Sequence, residues 1–215
     1  MYTDLEIDAL KEIGNIGAGN AATALSTLLS KKIIIKVPQI KIIPFDEVSK
    51  SVGGPEKLVV GIFMRITGDI DGNILMIIPE KDAYNLTETL LSKNKDEDLN
   101  FSDMEKSALL ELGNIVGSSY VVALSDLTKL SLKVSVPSFA FDMAGAIISF
   151  PLSLYGYMGD TAFLIDTEFT EGLDGIKLHY FLIPDDESLK LLLKAIGVNT
   201  IEHIEHIDPS GNGGI

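Results

Sequence analysis

The 215-residue chain carries a net charge of −14, and 46% of its residues are hydrophobic, which is ample for a packed core. It has no cysteine, which excludes disulfides and thiolate metal sites, and its scattered Lys and Arg residues form no basic face for nucleic acid or an anionic membrane. We find neither a secretory signal nor an apolar run long enough to cross a bilayer, so we expect a folded cytoplasmic protein with no membrane partner.

The first half is predicted to begin with a long helix and to continue as strands. Apolar residues at helical spacing over residues 5–30 indicate an amphipathic helix, and β-branched residues at 33–37 indicate a strand that stops at Pro38. Three further strands and a helix are predicted at residues 39–45, 58–66, 73–78 and 80–92. The charged stretch 93–100 has the composition of a linker.

The second half is predicted to repeat this order. A long helix is expected over residues 104–129, followed by a strand at 132–136 that stops at Pro137. Three further strands and a helix are predicted at residues 139–150, 161–167, 177–183 and 185–196. The chain is therefore expected to be an internal duplication.

The two halves are predicted to form one α+β domain. A repeat of about 100 residues with a single sheet face would be marginally stable alone. We therefore expect the repeats, about 4–93 and 101–197, to share one core within a domain spanning 1–207. In this pseudo-twofold fold, the two long helices pack with a shared, largely antiparallel sheet, and residues 208–215 are expected to be a disordered tail.

One polar pattern occurs in both halves at the same spacing. Its members are Asp8, Glu12, Asn15 and Pro38 in the first copy, and Ser107, Glu111, Asn114 and Pro137 in the second, each 99 positions later. At about 100° per residue, the three helical members of a copy lie within about 60° of arc and project as one row, called here the motif row. A duplicated pattern of this kind indicates two copies of one site.

Each long helix also carries an apolar stripe beside its motif row. The stripes consist of Leu5, Ala9, Ile13 and Ile16 in the first helix, and of Met104, Ala108, Leu112 and Ile115 in the second. We expect these stripes to face the core, so that each motif row stands on a rigid, half-buried support.

Other candidate motifs are weaker. Gly14, Gly17 and Gly19 suggest a phosphate loop, but no strand precedes them and no Walker lysine follows, so close packing of a helix is the better interpretation. His203 and His206 are three positions apart, as metal ligands can be, but they stand in a polar terminal segment without a third ligand. With no self-contained hydrolase site in view, we expect any chemistry here to use groups supplied by a partner.

The complete pattern resembles the signature of the CheC family, which includes CheC, CheX and FliY, the phosphatases of bacterial and archaeal chemotaxis. That signature is Asp or Ser, three residues, Glu, two residues, Asn, twenty-two residues and Pro, and both copies fit it in full. Two intact copies in a chain of this length are most similar to the CheC members. The resemblance covers residues 4–197.

The resemblance implies hydrolysis of the aspartyl phosphate of the response regulator CheY, with CheD as a second partner. It implies that the motif asparagine positions the attacking water and that the motif glutamate pairs with a lysine of the regulator. The regulator would supply Mg²⁺, so no metal or other cofactor is expected on this chain. The implied catalytic residues are Glu12, Asn15, Glu111 and Asn114, and the implied supporting residues are Asp8, Pro38, Ser107 and Pro137.

Two other functions stay open from the sequence. One is a non-catalytic adaptor that binds a response regulator or CheD, and the other is a flagellar switch-associated protein, which would carry an appended domain. The intact Glu and Asn of both copies favour catalysis, because a pure binding module needs no carboxamide to position water. The sequence leaves open whether one copy or both are active.

Overall fold

The computed structural model describes residues 4–92, 100–155, 161–173 and 175–195. Each half of this part of the chain begins with a long helix and continues with strands and shorter helices. The helices are α1 (Asp4–Leu29), α2 (Val48–Ser51), α3 (Glu80–Leu91), α4 (Asp103–Thr128), α5 (Ala144–Tyr155) and α6 (Asp186–Ala195). The strands are β1 (Ile34–Pro44), β2 (Leu58–Gly68), β3 (Gly72–Pro79), β4 (Leu132–Val134), β5 (Ser138–Met143), β6 (Thr161–Glu171) and β7 (Lys177–Pro184).

The strands form one antiparallel sheet in which the two halves exchange strands. Their order is β1-β6-β7-β3-β2-β4, with β5 also paired to β2. Strand β1 of the first half therefore pairs with β6 of the second, whereas β4 and β5 of the second half pair with β2 of the first. Strands β3 and β7 pair at the centre. The predicted α+β fold with a shared antiparallel sheet is confirmed.

Hydrophobic side chains are buried on both faces of this sheet. One face lies under α1 and α4 and carries alternate strand residues, including Ile62, Met76, Ile165 and Tyr180. The other face lies under α2 and α5 and carries the intervening residues, including Leu75, Ile77, Leu164 and Phe181. Helices α1 and α4 thus form an outer layer with one side on the sheet and the other in solvent.

Helices α1 and α4 run antiparallel to each other. The short connection after α1 folds β1 back along that helix, so α1 and β1 have opposite directions. Along α4, Gly113 and Gly117 lie against Ile62 and Met64 respectively, so α4 and β2 have the same direction. Because three antiparallel strands separate β1 from β2, these two strands are parallel, and the two helices are therefore antiparallel.

Tyr120 joins the two helices to the sheet. A Cβ atom at Gly17 of α1 would overlap the Tyr120 ring, so the glycine permits the close approach of α4. The Tyr120 ring stacks on Tyr180 with 4.5 Å between centroids, and its hydroxyl lies 3.2 Å from that of Thr167. Burial raises the pKa of Tyr120 to about 12 and that of Tyr180 well above its usual value.

The apolar stripes were only partly predicted. Ile13 and Leu112 are buried, but Ile16 and Met104 are exposed by 36% and 56%. The buried side of α1 is instead centred on its glycines, because the missing side chains let the helix backbone approach the sheet. The close-packing interpretation therefore holds for Gly14 and Gly17, whereas Gly19 faces open space. By length and hydropathy alone α4 would also suffice to cross a membrane, but half of its apolar segment is buried here, as in a core helix.

Two predicted strand assignments were wrong. The strand predicted at 139–150 ends at Met143, where α5 begins, because Ala144, Ile147 and Ile148 are buried together at helical spacing against the second face of the sheet. The strands predicted at 33–37 and 39–45 are one strand, β1, with an irregular register around Pro38. Most of the predicted linker 93–100, as well as His203, His206 and the tail 208–215, lie outside the described residues.

We predict that Gly17→Ala destabilises the protein by about 1–3 kcal/mol, because the added methyl group would overlap the Tyr120 ring in a packed region. Gly19→Ala is the matched control on the same helix, since nothing lies near its added methyl group. There the higher helix propensity of alanine should stabilise by up to about 1 kcal/mol. Urea unfolding of both variants measures the difference, and equal effects would contradict the proposed helix contact.

We predict that the free energy of unfolding falls as pH rises from about 10 to about 12. Burial favours the neutral phenol of Tyr120, so its contribution is fully present below the unfolded pKa of about 10 and is lost as pH approaches its folded pKa of about 12. The loss should be about 2–3 kcal/mol for this group. Denaturant unfolding across this pH range should show a smaller decline for Tyr120→Phe than for wild type, and identical declines would refute the assignment.

Candidate functional site

The first motif row lies on the solvent side of α1. Asp8, Glu12 and Asn15 are all exposed, whereas Leu10 and Ile13 between them are buried. The Asp8 carboxylate accepts a hydrogen bond of 2.9 Å from the ammonium group of Lys11, another exposed residue of α1. The first copy of the pattern is thus a mixed-charge surface on one face of a rigid helix.

The second motif row has the same placement on α4. Ser107 and Glu111 are exposed, and Asn114 is half-buried, while Leu109 and Leu112 are buried between them. The position equivalent to Lys11 is Leu110, which packs against the core. The second copy therefore presents its glutamate without a neighbouring ammonium group at that position, which is a chemical difference between the two sites.

The polar side-chain atoms of the motif glutamates and asparagines have no hydrogen-bonding partner among the described residues. In residues 4–92, 100–155, 161–173 and 175–195, the side chains of Glu12, Asn15, Glu111 and Asn114 form no hydrogen bond or ion pair. Each glutamate offers a carboxylate acceptor, and each asparagine offers both a carbonyl acceptor and an amide donor. These groups are therefore available to another molecule.

A glycine pressed against the sheet precedes each motif asparagine. A Cβ atom at Gly14 would lie 2.7 Å from Ile40 and 3.5 Å from Val37, and one at Gly113 would lie 2.8 Å from Ile62. The helix backbone is therefore held close to the sheet beside Asn15 and Asn114. The paired Gly-Asn sequence is the signal that could have identified this support from the sequence.

The two motif prolines occupy equivalent interruptions of the sheet. Pro38 lies in β1 where the pairing with β6 shifts register between Lys36 and Gln39, and Pro137 lies between β4 and β5. Proline lacks an amide N–H and is compatible with such interruptions. Because Val37 contacts the Gly14 region of α1, the first interruption lies beside the helix at the level of Asn15.

Exposed apolar side chains surround the second motif row, which the sequence analysis did not predict. Met104 and Val122, on α4, are 56% and 51% exposed, and Val136, next to Pro137, is 83% exposed. Met104 and Val122 lie 18 residues apart, a whole number of helical turns, and so share the face that carries Glu111. Apolar groups beside unpaired polar groups are typical of a protein-binding surface.

A separate polar cluster lies on the other face of the sheet. The His179 ring nitrogen Nδ1 lies 2.6 Å from the Asp166 carboxylate, and both residues line a cavity of about 150 Å³ together with Glu168 and Lys177. Among the residues that the structure describes, no three His, Asp or Glu side chains gather as a metal site would require. This cluster is remote from both motif rows, since the sheet separates them.

Comparison with known proteins identifies the family. The model of the CheC-like family matches residues 5–42 and 104–140, which are the segments that contain the two motif copies. The chain is 41% identical over 199 residues to "CheY-P phosphatase CheC" of Bacillus subtilis, covering 90% of this chain and 95% of that protein.

Solved structures show the same fold at low sequence identity. Thermotoga maritima FliY superposes with a TM-score of 0.71 at 20% identity, covering 91% of this chain and 98% of that one. CheX in a Borrelia burgdorferi CheX-CheY-BeF3-Mg complex superposes with a TM-score of 0.52 at 16% identity, covering 84% of this chain and 99% of that one. The match to the family model and the 41% identity to a curated relative along nearly its whole length establish that the chain belongs to the CheC-like family.

Proposed function

We propose that this protein is a chemotaxis phosphatase that hydrolyses the aspartyl phosphate of the response regulator CheY. Its curated relative is named a CheY-P phosphatase, and the two chains align over 90% of this one. The observation that carries the proposal is that the side chains of Glu12, Asn15, Glu111 and Asn114 lie on rigid helices and make no hydrogen bond or ion pair with any residue that the structure describes. Such side chains suit a site completed by a partner protein.

The reaction requires little covalent chemistry from this chain. The oxygen of water forms a bond to phosphorus while the bond from phosphorus to the aspartate oxygen breaks, giving inorganic phosphate and a free carboxylate. The proton of the water leaves with the phosphate. The regulator contributes Mg²⁺, the acceptor carboxylate and a lysine, which balance the charge that develops on the phosphoryl group. This chain contributes the side chain that positions the attacking water.

Asn15 or Asn114 is suited to that positioning. A carboxamide accepts a hydrogen bond from the water through its oxygen and donates one to a phosphoryl oxygen through its NH₂ group. Holding the water in line with the breaking bond removes much of the entropic cost of the reaction. Because Gly14 and Gly113 hold the helix on the sheet next to each asparagine, the carboxamide stands on a fixed backbone.

Glu12 or Glu111 is suited to docking. Each lies three residues before its asparagine, about one helical turn, and is exposed. An ion pair between this carboxylate and the lysine of the regulator would set the register of the helix in the partner's site. Lys11 next to Glu12 would weaken that pairing in the first copy, whereas Leu110 next to Glu111 would leave it unopposed.

We propose that the protein is located in the cytoplasm. Its lack of cysteine is consistent with a reducing compartment. CheD is proposed as a second partner on the family resemblance alone. Adding purified CheD to the phosphatase assay below tests that partnership, and an unchanged rate would exclude CheD as an activator.

We predict that the double variant Asn15→Ala/Asn114→Ala lowers the turnover of phosphorylated CheY by about a hundredfold, because it removes interactions made mainly in the transition state. Affinity should change only a few-fold. Decay of ³²P-labelled phospho-CheY gives the rate. Asn20→Ala/Asn85→Ala is the matched control, since both of these asparagines are exposed on helices outside the motif rows. If Asn15→Ala/Asn114→Ala hydrolyses phosphorylated CheY at the wild-type rate, the proposed mechanism is refuted.

We predict that Glu12→Lys/Glu111→Lys raises the dissociation constant for phosphorylated CheY by at least about tenfold, through repulsion of the partner's lysine. Calorimetric titration with the beryllofluoride-loaded regulator gives the constant. Glu47→Lys/Glu56→Lys changes the charge equally at exposed positions near α2, on the opposite side of the sheet, and should bind normally. Equal weakening in both double variants would show a general charge effect and would count against the docking role.

A further inference from the structure

We propose that Ser118 is a further positioning residue of the second site, where its hydroxyl group orients the carboxamide of Asn114. The inference rests on the proposed function and adds to its second site a group outside the repeated pattern. It follows from three observations: the place of Ser118 on α4, the hydrogen bonds of the other hydroxyl groups on the long helices, and the glycine at the equivalent position of the first copy.

Ser118 continues the second motif row by one helical turn. It lies four residues after Asn114 and seven after Glu111, so at about 100° per residue it is within about 40° of arc of both. Ser118 and Asn114 are both half-buried. Cβ atoms four residues apart on a helix are about 5–6 Å apart, a gap that a carboxamide and a hydroxyl group can close with one hydrogen bond. The Cβ atom of Ser118 also leans toward the helix N-terminus, and so toward Asn114.

The hydroxyl group of Ser118 differs from most serine and threonine hydroxyl groups along α1 and α4. Several of these donate to the carbonyl oxygen four residues earlier, namely those of Thr23, Ser26, Thr27, Ser119 and Thr128. By contrast, neither Ser118 nor Ser107, which both lie along the second motif row, forms a hydrogen bond with any residue that the structure describes. The Ser118 hydroxyl group is therefore available to the Asn114 side chain.

The first copy has a glycine where the second has this serine. Gly19 lies 99 positions before Ser118 and four residues after Asn15. A Cβ atom at Gly19 would meet nothing within 4 Å, so there is room for a side chain at this position. The two copies thus differ beside the carboxamide, and one substitution in either copy exchanges the difference.

The contribution of Ser118 is to restrict the rotation of the carboxamide. The terminal torsion of an asparagine side chain is broad and roughly twofold, so an unsupported carboxamide also turns its NH₂ group toward the position of the water. The NH₂ group has two N–H donors, one of which serves the phosphoryl oxygen. The Ser118 oxygen accepts the other, which leaves the carboxamide oxygen of Asn114 directed at the water. Because Ser118 acts on the orientation of a reacting group, its effect falls on kcat.

The first test places Ser118→Ala in the Asn15→Ala background of the full-length chain, which isolates the second site. We expect kcat for phospho-CheY hydrolysis to fall by about three- to tenfold, as for the loss of one neutral hydrogen bond, with less than about a twofold change in the dissociation constant for the beryllofluoride-loaded regulator. Ser119→Ala is the matched control and should leave kcat unchanged, because that hydroxyl group bonds to the Ile115 carbonyl within the helix. The effect of Ser118→Ala should vanish once Asn114 is also alanine.

The second test transfers the hydroxyl group to the first site. Gly19→Ser in the Asn114→Ala background should raise kcat by about three- to tenfold, because the added side chain meets no obstacle and stands one turn after Asn15. Gly19→Ala in the same background controls for the change in helix propensity and should not raise kcat. Equal rates for the two Gly19 variants would contradict the inference.

Each other outcome is decisive. Equal kcat values for Ser118→Ala and Ser119→Ala, or a weaker dissociation constant for Ser118→Ala at unchanged kcat, would overturn the positioning role and leave the proposed function intact. Loss of all activity in Asn15→Ala alone would show that the second site is inactive, and would also overturn that role. Failure of the wild-type chain to accelerate phospho-CheY decay would overturn the proposed function and this inference together.

Discussion

The close packing of α1 and α4 on the sheet and on each other is the constraint on which the candidate site depends. Gly14 and Gly113 bring the helix backbones onto the strands, and Gly17 admits the ring of Tyr120 between the two helices. The Tyr120 ring stacks on Tyr180, and its hydroxyl group forms a hydrogen bond with that of Thr167. The proposed positioning of a water molecule by a carboxamide requires this rigidity, because small displacements of the carboxamide would misplace the water.

The pseudo-twofold arrangement explains why two equivalent sites differ in detail. Both copies keep the glutamate and the glycine-asparagine pair, which fix the helix on the sheet and the polar row in solvent. The surrounding positions carry different residues: Lys11 in the first copy is replaced by Leu110 in the second, and the exposed apolar side chain next to the first row is Ile16, whereas Met104, Val122 and Val136 are exposed at the second. The duplicated scaffold thus keeps the glutamate and asparagine of the pattern in both copies, while the residues around them differ.

Local patterns predicted the long helices, the motif rows and most strands, because each depends on residues close in sequence. The segment after Met143 was assigned wrongly, since a short apolar run fits a buried helix as well as a strand, and packing against the second sheet face decides between them. The exposure of Met104 and the exchange of strands between the halves depend on contacts between distant residues. A single sequence carries no direct signal for such contacts.

The strand exchange has a consequence for how the protein folds during synthesis. Strand β1 is complete at Pro44, but its partner β6 begins only at Thr161, so at about 5–20 residues per second the ribosome needs on the order of ten seconds to deliver the partner. Throughout that interval β1 lacks β6, its partner in the described sheet, so both of its edges are unpaired. Its exposed lysines, Lys36 and Lys41, place charge on these edges and disfavour pairing with β1 of a neighbouring nascent chain.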